Sequence, residues 1–125
     1  MLNLPLHHIG VATHDVAREE RILSALGYVP CSEMFSDQTQ GIRGRFMSAS
    51  GQPTLELLEN FNEKQMENGR LSGFLKRGIK IYHFAYATCS IETDTERLQR
   101  EYKAKIIMPV MGAIFLKKSQ LCHVA

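Results

Sequence analysis

The chain has 125 residues, 44% hydrophobic and 22% charged, which is the size and make-up of one globular domain with enough apolar material for a core. A net charge of +2 argues against a nucleic-acid-binding protein on bulk charge, and no run approaches the roughly 18 apolar residues of a membrane span. The start, MLNLPLHHIG, lacks the basic opening and long apolar stretch of a signal peptide, and Cys31, Cys89 and Cys122 form neither a zinc motif nor an even disulfide set, so the expected setting is a reducing cytoplasm with buried or incidental thiols.

In chain order, the first element is a period-two segment, His7–Thr13. His8, Gly10 and Ala12 share one face of the predicted strand, and Ile9 and Val11 share the other. The histidine face carries only small neighbours, which leaves space over the sheet. Asp15 is a candidate N-cap for the helix VAREERILSALG, Gly27 a candidate stop, and Val16, Leu23 and Leu26 approximate its apolar stripe. Three strands are predicted next, at Tyr28–Phe35, Arg43–Ser48 and Thr54–Glu59, with breakers at Ser36–Gly41 and Ser50–Pro53. On the third, Thr54, Glu56 and Leu58 share a face. Asn60–Gly78 is polar, mostly helical in character, and reads as a connector.

A second period-two segment follows at Tyr82–Thr88, with His83, Ala85 and Ala87 on one face and Tyr82, Phe84 and Tyr86 on the other. The larger residues are expected to pack under helices. Ser90 is the candidate N-cap before IETDTERLQREY, with Thr93–Glu96 as an alternative capping box one turn later, and Ile91, Leu98 and Tyr102 form the stripe. Strands are then predicted at Lys105–Met108, Ala113–Leu116 and Leu121–Val124.

The two halves repeat. A shift of 75 positions pairs His8 with His83, Ala12 with Ala87, Thr13 with Thr88 and Leu23 with Leu98, with the same hydrophobic pattern and the same break after threonine. Each half reads strand, helix, three strands. Two histidines and a carboxylate, His8, His83 and Glu56, suit a divalent ion of the first transition row.

LHHIGVAT, TLELLEN, GFLKRGIKIYHFAY and AIFL, in this order and spacing, resemble the vicinal oxygen chelate superfamily of glyoxalase I, methylmalonyl-CoA epimerase, extradiol dioxygenases and bleomycin-resistance proteins. The nearest likeness is to its epimerase and glyoxalase-like branch. The resemblance implies an α+β fold, two βαβββ modules paired into one cup-shaped glyoxalase-like domain over residues 1–125, with modules at about 5–60 and 79–125 joined by a connector, 61–78. It implies one divalent metal ion (zinc, nickel, cobalt, manganese or iron) with His8, Glu56 and His83 at the first three ligand positions. The fourth is usually a glutamate in the last strand. Here no side-chain carboxylate follows Glu101, so either His123 takes that place or the position falls at or beyond Ala125.

The implied activity is proton transfer next to a metal-polarised carbonyl of a small oxo compound or thioester, by an isomerase, epimerase or lyase. Glu56 can serve as ligand or as the catalytic base, hardly both. The alternative is a non-catalytic binding protein of the bleomycin-resistance, antibiotic-sequestering type. The expected partners are a small molecule and a second copy of the chain, as a homodimer, with neither nucleic acid nor membrane. Arg43, Arg45, Lys76, Arg77 and Lys80 read as a solvated surface or, less simply, an edge for an anionic substrate. Met34, Phe35, Phe46, Met47 and Met111 read as core, dimer contact or pocket lining.

Overall fold

The structure, a computed structural model, describes residues 2–61, 69–106 and 120–124, the last as backbone alone. It is mixed α+β, and its contacts gather into two compact units, residues 8–83 and residues 1–7 with 84–125. Strands β1 (Leu6–Ala12) and β6 (Ile81–Thr88) each run through both.

The 8–83 unit adds α1 (Val16–Ser24), β2 (Val29–Pro30), β3 (Phe35–Asp37), β4 (Ile42–Ser48), β5 (Leu55–Asn60) and α2 (Ser72–Lys76). β2 and β3 both pair antiparallel with β4, β4 pairs antiparallel with β5, and β5 pairs parallel with β1. The single strand predicted over Tyr28–Phe35 is therefore two short ones. Between the pairs Pro30↔Met47 and Phe35↔Gly44 one side advances five positions and the other three, which is a bulge. The Ser32 hydroxyl fills the gap by accepting the Phe46 N–H at 2.9 Å, so the backbone donor stays satisfied while the ladder is interrupted.

This alternation puts apolar side chains on both faces of the sheet. Under α1, Val16, Met47 and Leu57 are buried together, with Val11, Leu23 and Tyr28 against them. On the opposite face Ala12, Ile42, Leu58 and Leu71 form a second cluster, flanked by Phe35, Phe74, Leu75 and Tyr82. Two expectations change here. Among the described residues of the connector, Leu71 is fully buried and belongs to the core. Tyr82 does pack against a helix, its ring meeting Phe74 of α2 edge to face at 5.1 Å between centroids, but Phe84 is 40% exposed. Leu26 lies beyond the helix and is exposed, so the apolar stripe of α1 is Val16 and Leu23.

The second unit holds α3 (Ile91–Tyr102) and β7 (Gln120–Val124), which pairs antiparallel with β6. Ser90 is the N-cap, its hydroxyl accepting from Thr93 N–H, so the helix starts at the earlier of the two predicted points. Tyr102 at its far end is exposed. Lys105 and Ile106 have no regular structure, and the remainder of Lys105–Met108, with all of Ala113–Leu116, lies outside the described residues. The predicted last strand is present as β7.

Each unit carries the same strand-to-helix junction. In one, the Asp15 N–H donates to the Thr13 hydroxyl at 3.2 Å and that hydroxyl donates to Glu19 Oε1 at 3.3 Å. In the other, the Ser90 N–H donates to the Thr88 hydroxyl at 3.1 Å, and the Thr88 hydroxyl donates to Asp94. Both threonines are buried. The shift that pairs Thr13 with Thr88 also pairs Asp15 with Ser90 and Glu19 with Asp94, so the break after threonine in both halves has one physical cause.

Candidate metal centre

The site is built on three neighbouring backbone positions. In the β1–β5 ladder Gly10 pairs with Glu56, and His8 lies two residues earlier on the same face of β1. In the β4–β5 ladder Phe46 pairs with Glu56. His83 comes from β6, which starts beside β1 through the Ala12 N–H donating to Lys80 C=O at 2.8 Å.

Three donor atoms converge there. His8 Nε2 stands 3.1 Å from His83 Nε2 and 3.4 Å from Glu56 Oε1, and His83 Nε2 stands 3.2 Å from the same oxygen. Donors bound at metal–ligand lengths of about 2.0–2.2 Å and at angles between octahedral and tetrahedral stand about 2.8–3.6 Å apart, so the triangle fits a first-row divalent ion. The same spacing permits hydrogen bonds that depend on the tautomer each ring adopts.

His8 is 1% and Glu56 5% exposed. The Phe46 ring meets His8 edge to face at 5.1 Å between centroids, and Tyr82 meets His83 in the same manner at 5.2 Å. Burial alone would raise the Glu56 pKa. It is outweighed by hydrogen bonds from His8 and His83 and by their charge, which together bring the carboxyl from 4.5 down to about 2. Glu56 is therefore a carboxylate throughout the neutral range, the form a metal ligand needs.

The three residues expected at the first ligand positions are thus brought together, and among the described residues they are the group of His, Cys, Asp and Glu side chains placed to hold an ion. His123 lies on β7 opposite Ala85 in the ladder, and its side chain is outside the described part of the structure. The expected basic edge is largely taken up by pairing: Arg43 with Glu59 at 3.0 Å, Arg45 with Glu20 at 3.2 Å, and Lys80 with Glu19. Arg77 lies over the Phe74 ring and donates to Gly73 C=O. Of the expected pocket residues, Met47 is core under α1, Phe46 touches His8, Phe35 packs on Phe46, Met34 is partly exposed and Met111 lies outside the described residues. Cys31 and Cys89 are exposed free thiols, not buried ones. No helix among the described residues is long and apolar enough to cross a membrane. The contact of Phe46 with His8 was not legible beforehand, although the pairing of Phe46 with Glu56 would have followed from the β4–β5 register.

The chain is thus α+β, with a His–Glu–His triangle of donor atoms close enough together to hold a metal ion. Its sequence matches the Glyoxalase/Bleomycin resistance protein/Dioxygenase superfamily over residues 7–115, and the chain belongs to that superfamily. Among solved structures it is similar to a hypothetical protein from Bacillus halodurans, with 27% identity and a TM-score of 0.73 over 90% of this chain and 80% of the other. It is similar also to methylmalonyl-CoA epimerase from Mycobacterium tuberculosis, with 22% identity and a TM-score of 0.71 over 88% and 74% of the two chains. A third is a variant of the Streptomyces coelicolor methylmalonyl-CoA epimerase in complex with 2-nitronate-propionyl-CoA, with 22% identity and a TM-score of 0.67 over 85% and 77%. At that identity the epimerase likeness is one of fold. No curated protein sequence matches the chain.

Proposed function

We propose that His8, Glu56 and His83 bind a divalent first-row transition-metal ion, and that the chain is an epimerase-type isomerase moving a proton beside the carbonyl of a small oxo compound or acyl thioester. The observation that carries this is the convergence of three donor atoms 3.1–3.4 Å apart on one face of the sheet, two on buried residues and the third on half-buried His83. When bound, the ion supplies Lewis-acid stabilisation of negative charge on the substrate's carbonyl oxygen.

Glu56 acts as a ligand rather than the proton-transfer base. Its Oε1 is engaged by both histidines, and a carboxyl with a pKa of about 2 is a weak base at neutral pH. Phe46 and Tyr82 restrict the two imidazoles by edge contacts, which holds the donors ready and lowers the cost of gathering them. His83, with 11% of its side chain exposed against 1% for His8, is on the side that solvent and substrate reach. His123 on β7 is the proposed fourth ligand. We take the working form to be a cytoplasmic homodimer. Because the similar epimerases include one bound to 2-nitronate-propionyl-CoA and one bound to methylmalonyl-CoA, acyl-CoA thioesters with an acidic α-hydrogen are the substrates to try.

The test has two parts. Protein purified without a histidine tag should carry about one equivalent of metal, lost in His83→Ala, and should exchange the α-hydrogen of a 2-branched acyl-CoA in D2O, followed by proton NMR. Metal-free protein showing no thermal shift with zinc, nickel, cobalt, manganese or iron would refute the reading and leave a metal-independent binding protein.

A further inference from the structure

Gly10 lies under one corner of the donor triangle, that of His83. It is two residues from His8 on the same face of β1, pairs with Glu56 across the parallel ladder, and lies beneath the His83 imidazole. A Cβ built on Gly10 would fall 2.5 Å from His83 Cε1, 2.6 Å from Nδ1 and 2.8 Å from Nε2. All three are inside the distance that real Cβ atoms keep, and all three belong to one rigid ring. A single methyl group therefore cannot be accepted by turning the end of a flexible chain: the whole imidazole must move. The ring is held by Tyr82 on one side and by the Nε2 contacts to His8 and Glu56 on the other, so a ring that leaves Gly10 also leaves its partners.

We propose that Gly10 is a positioning residue of the metal centre: the place where its side chain would be is the slot in which the His83 imidazole sits. This rests on the metal reading above. Gly10 touches neither ion nor substrate; it acts through His83 alone. Substitution by alanine should displace His83 Nε2 from the triangle and weaken the site as the loss of a supporting contact does, by about 10- to 100-fold in affinity.

The experiment is a Co2+ titration of the apo chain, read by the ligand-field absorbance, for wild type, Gly10→Ala, His83→Ala and the double variant, with thermal unfolding of each in chelator. We expect Gly10→Ala to weaken Co2+ binding by at least about 10-fold. In the apo chain Gly10→Ala should lower Tm by several degrees when His83 is present and by much less in the His83→Ala background, because the ring it strikes is gone. If Gly10→Ala alone fails to fold and the double variant folds, the clash is established in the same sense. Equal Tm losses in the two backgrounds, a double variant that also fails to fold, or unchanged Co2+ affinity in Gly10→Ala each overturn the proposal. Absence of Co2+ binding by wild type overturns the metal reading itself, and is distinguished from failure of the positioning role by the coupling in chelator.

Discussion

Glu56→Gln in the apo chain tests the electrostatics of the site without any ligand. Glutamine keeps the shape of the side chain and removes its charge. In the folded chain the two histidines hold the Glu56 pKa at about 2, well below its ordinary value of 4.5. With each pKa unit equivalent to about 1.36 kcal/mol, the carboxylate contributes roughly 3 kcal/mol of stability at neutral pH. The sign follows from the depressed pKa. The contribution is present in full above the unfolded value of 4.5 and is lost as pH falls through the folded value, so that less than half remains near pH 3 and almost nothing below pH 2. Urea unfolding of wild type and Glu56→Gln in chelator, at intervals between pH 7 and pH 2, measures this directly. The wild type should be the more stable at pH 7, and the gap should close between pH 4.5 and pH 2. A gap that stays constant across that range would show that the histidines do not hold the carboxylate in its ionised form, and the account of Glu56 as a carboxylate stabilised by His8 and His83 would fall.

Three further outcomes follow from the packing. Thr13→Val and Thr88→Val each remove a buried hydroxyl that bonds twice at a strand-to-helix junction, and each should cost about 1–3 kcal/mol by chemical denaturation; a neutral result at either position would break the structural equivalence of the two halves. Gly44→Ala places a Cβ 1.9 Å from the Leu57 carbonyl oxygen, where backbone must yield, so the variant should lose about 3 kcal/mol or more, or accumulate as insoluble protein, and wild-type stability would refute the close approach of β4 to β5. Leu71→Ala should cost about 2–5 kcal/mol in the same unfolding assay if the connector is core, whereas a change below about 0.5 kcal/mol would return it to the surface.

What was legible beforehand was what a period can carry. Alternation placed His8 and Glu56 on one face of their strands, the repeat added His83, and the caps at Asp15 and Ser90 set the start of both helices. What was not legible depends on neighbours distant in sequence. The bulge between β2 and β3 rests on a hydroxyl, that of Ser32, standing in for a backbone acceptor, and no local propensity announces that. Leu71 is a lone apolar residue in a polar stretch, and its burial is decided by Ala12, Ile42 and Leu58, none of them nearby in sequence.

The row of small residues beside His8 shows most clearly where pattern ends and packing begins. His8, Gly10 and Ala12 on one face imply room above the sheet, and room above a sheet is equally an open cup or a seat for another side chain. The structure separates the two uses along a single strand. Ala12 is covered by Leu58 and Leu71, while Gly10 is covered by the ring of His83. The small residues near His8 are thus a fitted floor, and the second histidine reaches the first because the residue between them and Ala12 has no side chain. A sequence can conserve the volume of such a floor in many ways when the occupant is aliphatic. When the occupant is a flat ring that must keep its nitrogen 3.1–3.2 Å from two partners, only glycine leaves enough space.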